Sequence, residues 1–252
     1  VQLRLRSTFT LYSLKMCETH LKKGSEFPKK SNDKLRIYSM KYCPYAQRAR
    51  IILEVKNIPY EIVNVNVINK PEWIFGLNPA GKVPILDTGS KIVCESLVIC
   101  DYLDEIYPDP PLHSKNKEER EKNEALLRDF DDLLIVLHKS LKSQDDPTST
   151  VEELIKNASK FEDQLSKRGL YFGGNSPRMI DFMLWPWAER VSVFNDIFKT
   201  QLSNATKFPH LHSWCEAMHK HKALQATRTD LEKQLTIYGS YRNGDTDINY
   251  DI

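Results

Sequence analysis

No window of this 252-residue chain approaches eighteen uninterrupted apolar residues, so a membrane-spanning helix is not expected. No segment repeats another, and no two cysteines are spaced C-x-x-C. The five cysteines, Cys17, Cys43, Cys94, Cys100 and Cys215, are odd in number and scattered. That pattern excludes a disulfide-stapled secreted scaffold and favours a reducing compartment, with a cytoplasmic location as the expectation. A surplus of one charge is also missing. Lys and Arg number 36 against 34 Asp and Glu, a net +2. Nucleic acid is therefore not expected as a partner, because phosphate binding needs a concentrated basic surface.

What is present suits a globular protein of one large domain or two modest ones, with 40% hydrophobic and 28% charged residues. The charge that exists is uneven. Residues 1–30 hold seven basic and two acidic residues, which is +5 and leaves −3 for the remainder. The first fifteen residues lack acids, and are read as an extension upstream of a start at Met16 in preference to a targeting peptide. A flexible basic stretch is expected over 1–33.

Leu35 to Met40 reads as a strand, and Pro44 opens a helical pattern to Lys56, since proline is tolerated in a first helical turn. In that helix Ala46, Ala49, Ile52 and Leu53 share a face, with Gln47, Arg48, Arg50 and Glu54 turned elsewhere. Glu61 to Val67 alternates like a strand. Val83 to Leu86 and Lys91 to Cys94 flank a hairpin turn at Asp87-Thr88-Gly89-Ser90. A helix from Ser96 to Tyr107 completes a β-α-β-(α)-β-β-α unit over 34–108, and Pro108, Pro110 and Pro111 mark a linker at 109–116.

Beyond it every pattern is helical, over 117–240. Stripes run through Leu126, Phe130, Leu133, Leu134, Leu137 and Leu141, and through Val151, Leu154, Ile155, Ala158, Phe161 and Leu165 up to a stop at Gly169. A helix from Met179 to Phe194 is expected to kink at Pro186. Another is centred on Leu211, Trp214 and Met218. The polar tail, 241–252, is expected to be mobile. His212, Cys215 and His219 could share a helix face, but they are too few for a metal site, and none is expected.

The strongest chemical signal is CPYAQR at Cys43 to Arg48, between strand and helix. A cysteine at a helix N-terminus meets unpaired N–H groups and the positive end of the helix dipole, both of which favour thiolate. Ala46 stands where a dithiol motif would place a second cysteine, so a mixed disulfide at Cys43 must be resolved by an outside thiol. The second signal is Gly81-Lys82-Val83-Pro84, followed by Glu95-Ser96. A cis Val83-Pro84 step would turn the Val83 backbone groups outward, where an extended peptide could pair with them. Ser96 at a helix start suits a carboxylate, and Glu95 an ammonium.

The stretches IYSMKYCPYAQRARIIL, NKPEWIFGLNPAGKVPIL, CESLVICDYLDEIYP, YFGGNSPRMIDFMLWPWAER and FPHLHSWCEAM together resemble the glutathione transferases, the omega class in particular, over Leu35 to Tyr238. The resemblance implies a thioredoxin-like domain (α/β) followed by an all-helical (all-α) domain, usually in a homodimer. It implies glutathione as co-substrate, with no metal, and a small electrophilic or disulfide acceptor. Cys43 would form the mixed disulfide with glutathione. Tyr45 would line the pocket, Val67 and Lys70 would hold the tripeptide, and Val83 would pair with its cysteinyl residue. Glu95 and Ser96 would hold the γ-glutamyl end. Trp187 and Arg190 would border a second-substrate pocket, which in relatives has an aromatic near the place of Leu231.

Arg178 departs from the family's S/T-x-x-D helix cap, leaving that cap missing or moved to Ser176. The implied activities are thiol transfer, dehydroascorbate reduction and, in some members, pteridine-precursor conversion. A carrier without turnover and a membrane-associating relative are the rivals; the latter's C-P-x-S pattern is absent, and no stable membrane insertion is expected.

Overall fold

Leu35–Ser39 forms β1, and its residues after Leu35 are all buried, as expected for a strand covered on both faces. The protein is described by a computed structural model covering residues 19–30, 34–202 and 204–252. β1 is central in a four-stranded mixed sheet of order β2-β1-β3-β4. After α1 (Pro44–Val55), β2 (Tyr60–Asn64) returns parallel to β1, pairing Leu35 with Tyr60 through Ser39 with Asn64. A short α2 (Ile74–Leu77) leads to β3 (Ile85–Asp87) and β4 (Ile92–Cys94), both antiparallel to their neighbours, and then to α3 (Ser96–Ile106). The hairpin turn closes through the Asp87 carboxylate, which accepts the Gly89 N–H at 2.7 Å, with Gly89 at φ +92°. This is the thioredoxin-like arrangement.

The remainder is helical: α4 (Lys117–Lys142), α5 (Thr148–Arg168), α6 (Met179–Ala188), α7 (Val191–Phe198), α8 (Pro209–His219), α9 (Lys222–Thr227) and α10 (Leu231–Asn243). Gly169, at φ +120°, ends α5 as its position suggested. The helix expected from Met179 to Phe194 is instead two. In a continuous helix the Arg190 N–H would bond the Pro186 carbonyl. Here that N–H turns to the Trp187 carbonyl at 3.1 Å, and the Arg190 guanidinium takes the Pro186 carbonyl.

In three polar stretches the described polar groups find partners inside. Gln47, Arg48 and Arg50 are buried, because the face of α1 turned from the sheet packs against the helical domain. Arg48 donates to the Met183 carbonyl at 2.9 Å and to Asp131 at 2.8 Å, over the Trp187 ring. Within the leader, residues 28 and 29 offer their carbonyls to the buried Arg36 guanidinium, and Leu21 bridges to Val65 beside the sheet. The reading of residues 1–15 falls outside the described residues. The tail is not free either. Ile248 and Tyr250 are buried, and the Tyr250 hydroxyl meets that of Tyr241 at 2.7 Å.

Arg178 is the N-cap of α6, so the cap has not moved to Ser176. An arginine side chain cannot accept a hydrogen bond, so only the returning half of a capping box exists: Asp181 accepts the Arg178 N–H at 2.8 Å. Asp181 is fully buried and also accepts from the Phe172 N–H at 2.9 Å and the Trp214 indole N–H at 2.8 Å. Asp181→Ala strands two buried donors, the Phe172 N–H and the Trp214 indole N–H, at about 1–3 kcal/mol each, and also frees the half-buried Arg178 N–H, so urea unfolding should report a loss on the order of 3–5 kcal/mol. A loss below about 1 kcal/mol would show that the carboxylate is dispensable.

Candidate active site

β1 delivers the chain to a short loop, Met40 to Tyr42, after which Cys43 N-caps α1 with φ −73° and ψ 119°. Its Sγ accepts the Ala46 N–H at 3.5 Å. The thiol lies against Met40, Tyr42, Ile237, Ile248 and Tyr250. Burial there pushes the Cys43 thiol above its ordinary value. The N–H groups of Ala46 and Tyr45, and the Arg190 and Arg50 guanidiniums, pull it back without prevailing. The helix N-terminus is present as expected, but the thiolate it was expected to favour is disfavoured by the apolar neighbours.

Cys43 opens on a cavity of about 320 Å³. One wall brings together Tyr45, Val67, Lys70 and Val83, which the sequence singled out, with Val83-Pro84 in the cis form. The facing wall is His138, Leu141 and Lys142 of α4 with Gln234, Ile237, Tyr238 and Tyr241 of α10. Burial pushes the Tyr45 hydroxyl up to about 12, so it stays protonated across the physiological range. Glu95 and Ser96 are not among the lining residues. They form the junction of β4 and α3, with Glu95 at φ +68°, a non-glycine strain of about 1–3 kcal/mol.

Comparison with known proteins follows the same lines. Residues 37–111 match the family model for the glutathione S-transferase N-terminal domain, and residues 148–217 that for the C-terminal domain. The chain is 35% identical over 226 residues to a pyrimidodiazepine synthase of Drosophila melanogaster, covering 85% of this chain and 89% of that one. It is 35% identical over 204 residues to human glutathione S-transferase omega-2, covering 79% and 82%. Among solved structures, glutathione transferase Omega 3C from Trametes versicolor superposes with a TM-score of 0.72 at 25% identity, covering 86% and 93%.

This chain belongs to the omega-class glutathione transferases. It is a glutathione-dependent transferase.

Two residues expected beside the transferase's acceptor pocket are placed elsewhere. Arg190 is fully buried behind the nucleophile loop, donating to Gln47 Oε1 at 2.6 Å and to the Tyr42 carbonyl at 3.2 Å, with Glu189 at 3.7 Å. With no exposed surface, its two terminal nitrogens bonded inside the protein and its Nε buried without a partner, this guanidinium offers no accessible edge to a substrate. Trp187 is core, edge-on to Tyr45 and Phe130 with ring centroids at 5.0 and 5.5 Å. Trp187 and Leu231 line a separate apolar cavity of about 380 Å³ within the helical domain. Neither reaches the Cys43 cavity.

The α4 and α10 wall was missed. Its one visible trace was a histidine and a lysine, His138 and Lys142, on the edge of the apolar stripe through Leu134, Leu137 and Leu141. Among the described residues no three His, Cys, Asp or Glu side chains gather as metal ligands, and no helix is long and apolar enough to cross a membrane.

The raised thiol carries a pH signature. Alkylation of Cys43 by iodoacetamide, followed by mass spectrometry, should still climb above about pH 8.5, where an ordinary thiol is half ionised. A plateau below about pH 7.5 would show a stabilised thiolate instead.

Proposed function

We propose that the transferase works chiefly as a glutathione-dependent thiol transferase and reductase, with Cys43 as nucleophile. The Cys43 thiolate attacks the glutathionyl sulfur of a mixed disulfide and releases the substrate thiolate. A second glutathione attacks the Cys43–glutathione disulfide, leaving oxidised glutathione and the Cys43 thiolate. The observation that carries this reading is that Cys43 is the one cysteine among the residues lining its cavity. Cys100 is fully buried with its thiol pushed far up, and burial pushes the Cys215 thiol to about 12. Cys94 does not line the cavity either, so among the described residues no second protein thiol faces Cys43, and a second small molecule supplies the resolving thiol.

In this reading Tyr45 and Val67 flank the tripeptide, Lys70 faces a carboxylate, and the Val83 backbone pairs with the cysteinyl residue. Glu95 and the N-terminus of α3 at Ser96 take the γ-glutamyl end, which would extend past the cavity lining. Dehydroascorbate is a further acceptor, reduced by two glutathiones through the same cysteine. Pteridine-precursor conversion is a second reading, favoured by the 35% identity to the pyrimidodiazepine synthase. A homodimer in the cytoplasm, with a role in detoxification, accords with the class.

Glutathione-dependent reduction of hydroxyethyl disulfide and of dehydroascorbate should fall by at least ~100-fold in Cys43→Ala, because the covalent step is lost. Wild-type protein that binds glutathione without turning over either substrate would replace this reading with a carrier.

A further inference from the structure

His138 lies across the cavity from the nucleophile loop and has no part in the reaction as written above. Its Nδ1 is 2.8 Å from the Leu134 carbonyl. A carbonyl only accepts, so Nδ1 carries the ring proton, and Nε2 is left with a lone pair. The ring stacks on Tyr45, the second residue after Cys43, with centroids 5.6 Å apart and planes 17° from parallel. Nε2 has no protein partner among the described residues, while His138 itself lines the cavity that Cys43 opens on. A neutral imidazole is thus held by one nitrogen, oriented by one ring and left with its other nitrogen unpartnered.

We propose that His138 is the base that takes the thiol proton of the second glutathione and returns it to the departing substrate thiolate. This rests on thiol transfer at Cys43. In the resolving step the glutathione thiol gives its proton to Nε2, and the resulting thiolate attacks the sulfur of Cys43 in the mixed disulfide. That S–S bond breaks, its electron pair stays on Cys43, and oxidised glutathione leaves. In the next turn the Cys43 thiolate attacks a new glutathionyl disulfide, and the departing thiolate takes the proton from the His138 imidazolium. The sum is one mixed disulfide plus one glutathione giving one free thiol plus oxidised glutathione, with no proton gained or lost.

The surroundings keep the imidazole neutral while Cys43 is held in the mixed disulfide, the stage at which the second glutathione arrives. Its own helix brings Lys142, together with Asp131, whose charge is taken up by Arg48. Tyr45 and Cys43 face it from the nucleophile side, Tyr238 and Tyr241 from α10, and Lys70 and Lys82 from across the cavity. Burial holds all three tyrosines in their neutral forms, and Cys43 in the mixed disulfide carries no charge. The charges facing the ring without a partner are therefore cationic. Burial, with Lys142, moves the His138 imidazole below its ordinary value.

The size of the effect is bounded by the thiol itself. With a pKa near 8.5, about 3% of it is ionised at about pH 7, so a base can contribute no more than ~30-fold there and nothing by about pH 9.5. The test isolates the resolving step. The full chain is loaded with glutathione at Cys43 using oxidised glutathione, then mixed with excess glutathione, and release is followed by quenched-flow mass spectrometry across pH. His138→Gln should release about tenfold more slowly at about pH 7 and match the wild type by about pH 9.5. In His138→Ala, added imidazole should restore the rate at neutral pH.

A deficit of equal size at every pH, or no deficit, would overturn the shuttle and leave His138 a packing residue. Cys43 alkylation slowed by the same factor in His138→Gln would overturn it as well, because the base would then serve Cys43 itself. Wild-type protein that loads but never releases glutathione would remove the thiol-transfer reading and this proposal together.

Discussion

The Arg190 guanidinium has no contact with solvent, yet it joins three parts of the chain. It donates to the Tyr42 carbonyl in the nucleophile loop, to the Pro186 carbonyl in α6 and to the Gln47 side chain in α1. Taking a cation out of water costs several kcal/mol unless its hydrogen-bonding capacity is met inside. Here three acceptors and the Glu189 carboxylate at 3.7 Å offset much of that cost, while Nε stays buried without a partner. The loop that presents Cys43 is therefore held partly by the helical domain and not by the sheet alone. That same guanidinium bonds the Pro186 carbonyl where α6 gives way to α7 and the Arg190 N–H turns to Trp187. Domain packing, helix boundary and nucleophile position share one buried charge.

The charged side chains that line the cavity wall are lysines: Lys70, Lys82 and Lys142. Such a field suits a ligand that carries carboxylates, and it also discourages protonation of His138. The apolar floor of Met40, Ile237 and Ile248 works in the opposite sense on Cys43, raising its thiol. A thiolate of higher basicity is the rarer form but the stronger nucleophile once formed. The site thus trades resting ionisation for reactivity per ionised molecule.

The sheet, its hairpin, α1 and the place of Cys43 were legible because each rests on a local pattern: alternation, a turn signal, a proline in a first helical turn. Cavity residues contributed by the β1, β2 and β3 ends were legible for the same reason. His138, Gln234, Ile237 and Tyr238 were not, since nothing local tells an edge residue of an apolar stripe that it faces a nucleophile more than ninety positions away. Periodicity turned Arg48 and Arg50 away from the apolar face of α1 but did not show their burial, which follows because a helix between two packed layers has no solvent face. The polar tail misled by composition, with two residues, Ile248 and Tyr250, deciding where it goes.

That tail meets the start of the described chain at the nucleophile loop. His20 bonds Asp251 at 2.6 Å and accepts the Lys41 N–H at 3.2 Å, and the Tyr42 hydroxyl reaches the Ile252 carbonyl at 3.1 Å. Two segments more than two hundred residues apart along the chain therefore touch the residues on either side of the same backbone turn. A fluorophore carried on residue 249 or 251 would sit within reach of the Cys43 cavity, and its emission would report filling and emptying of that cavity without any change to the residues that line it.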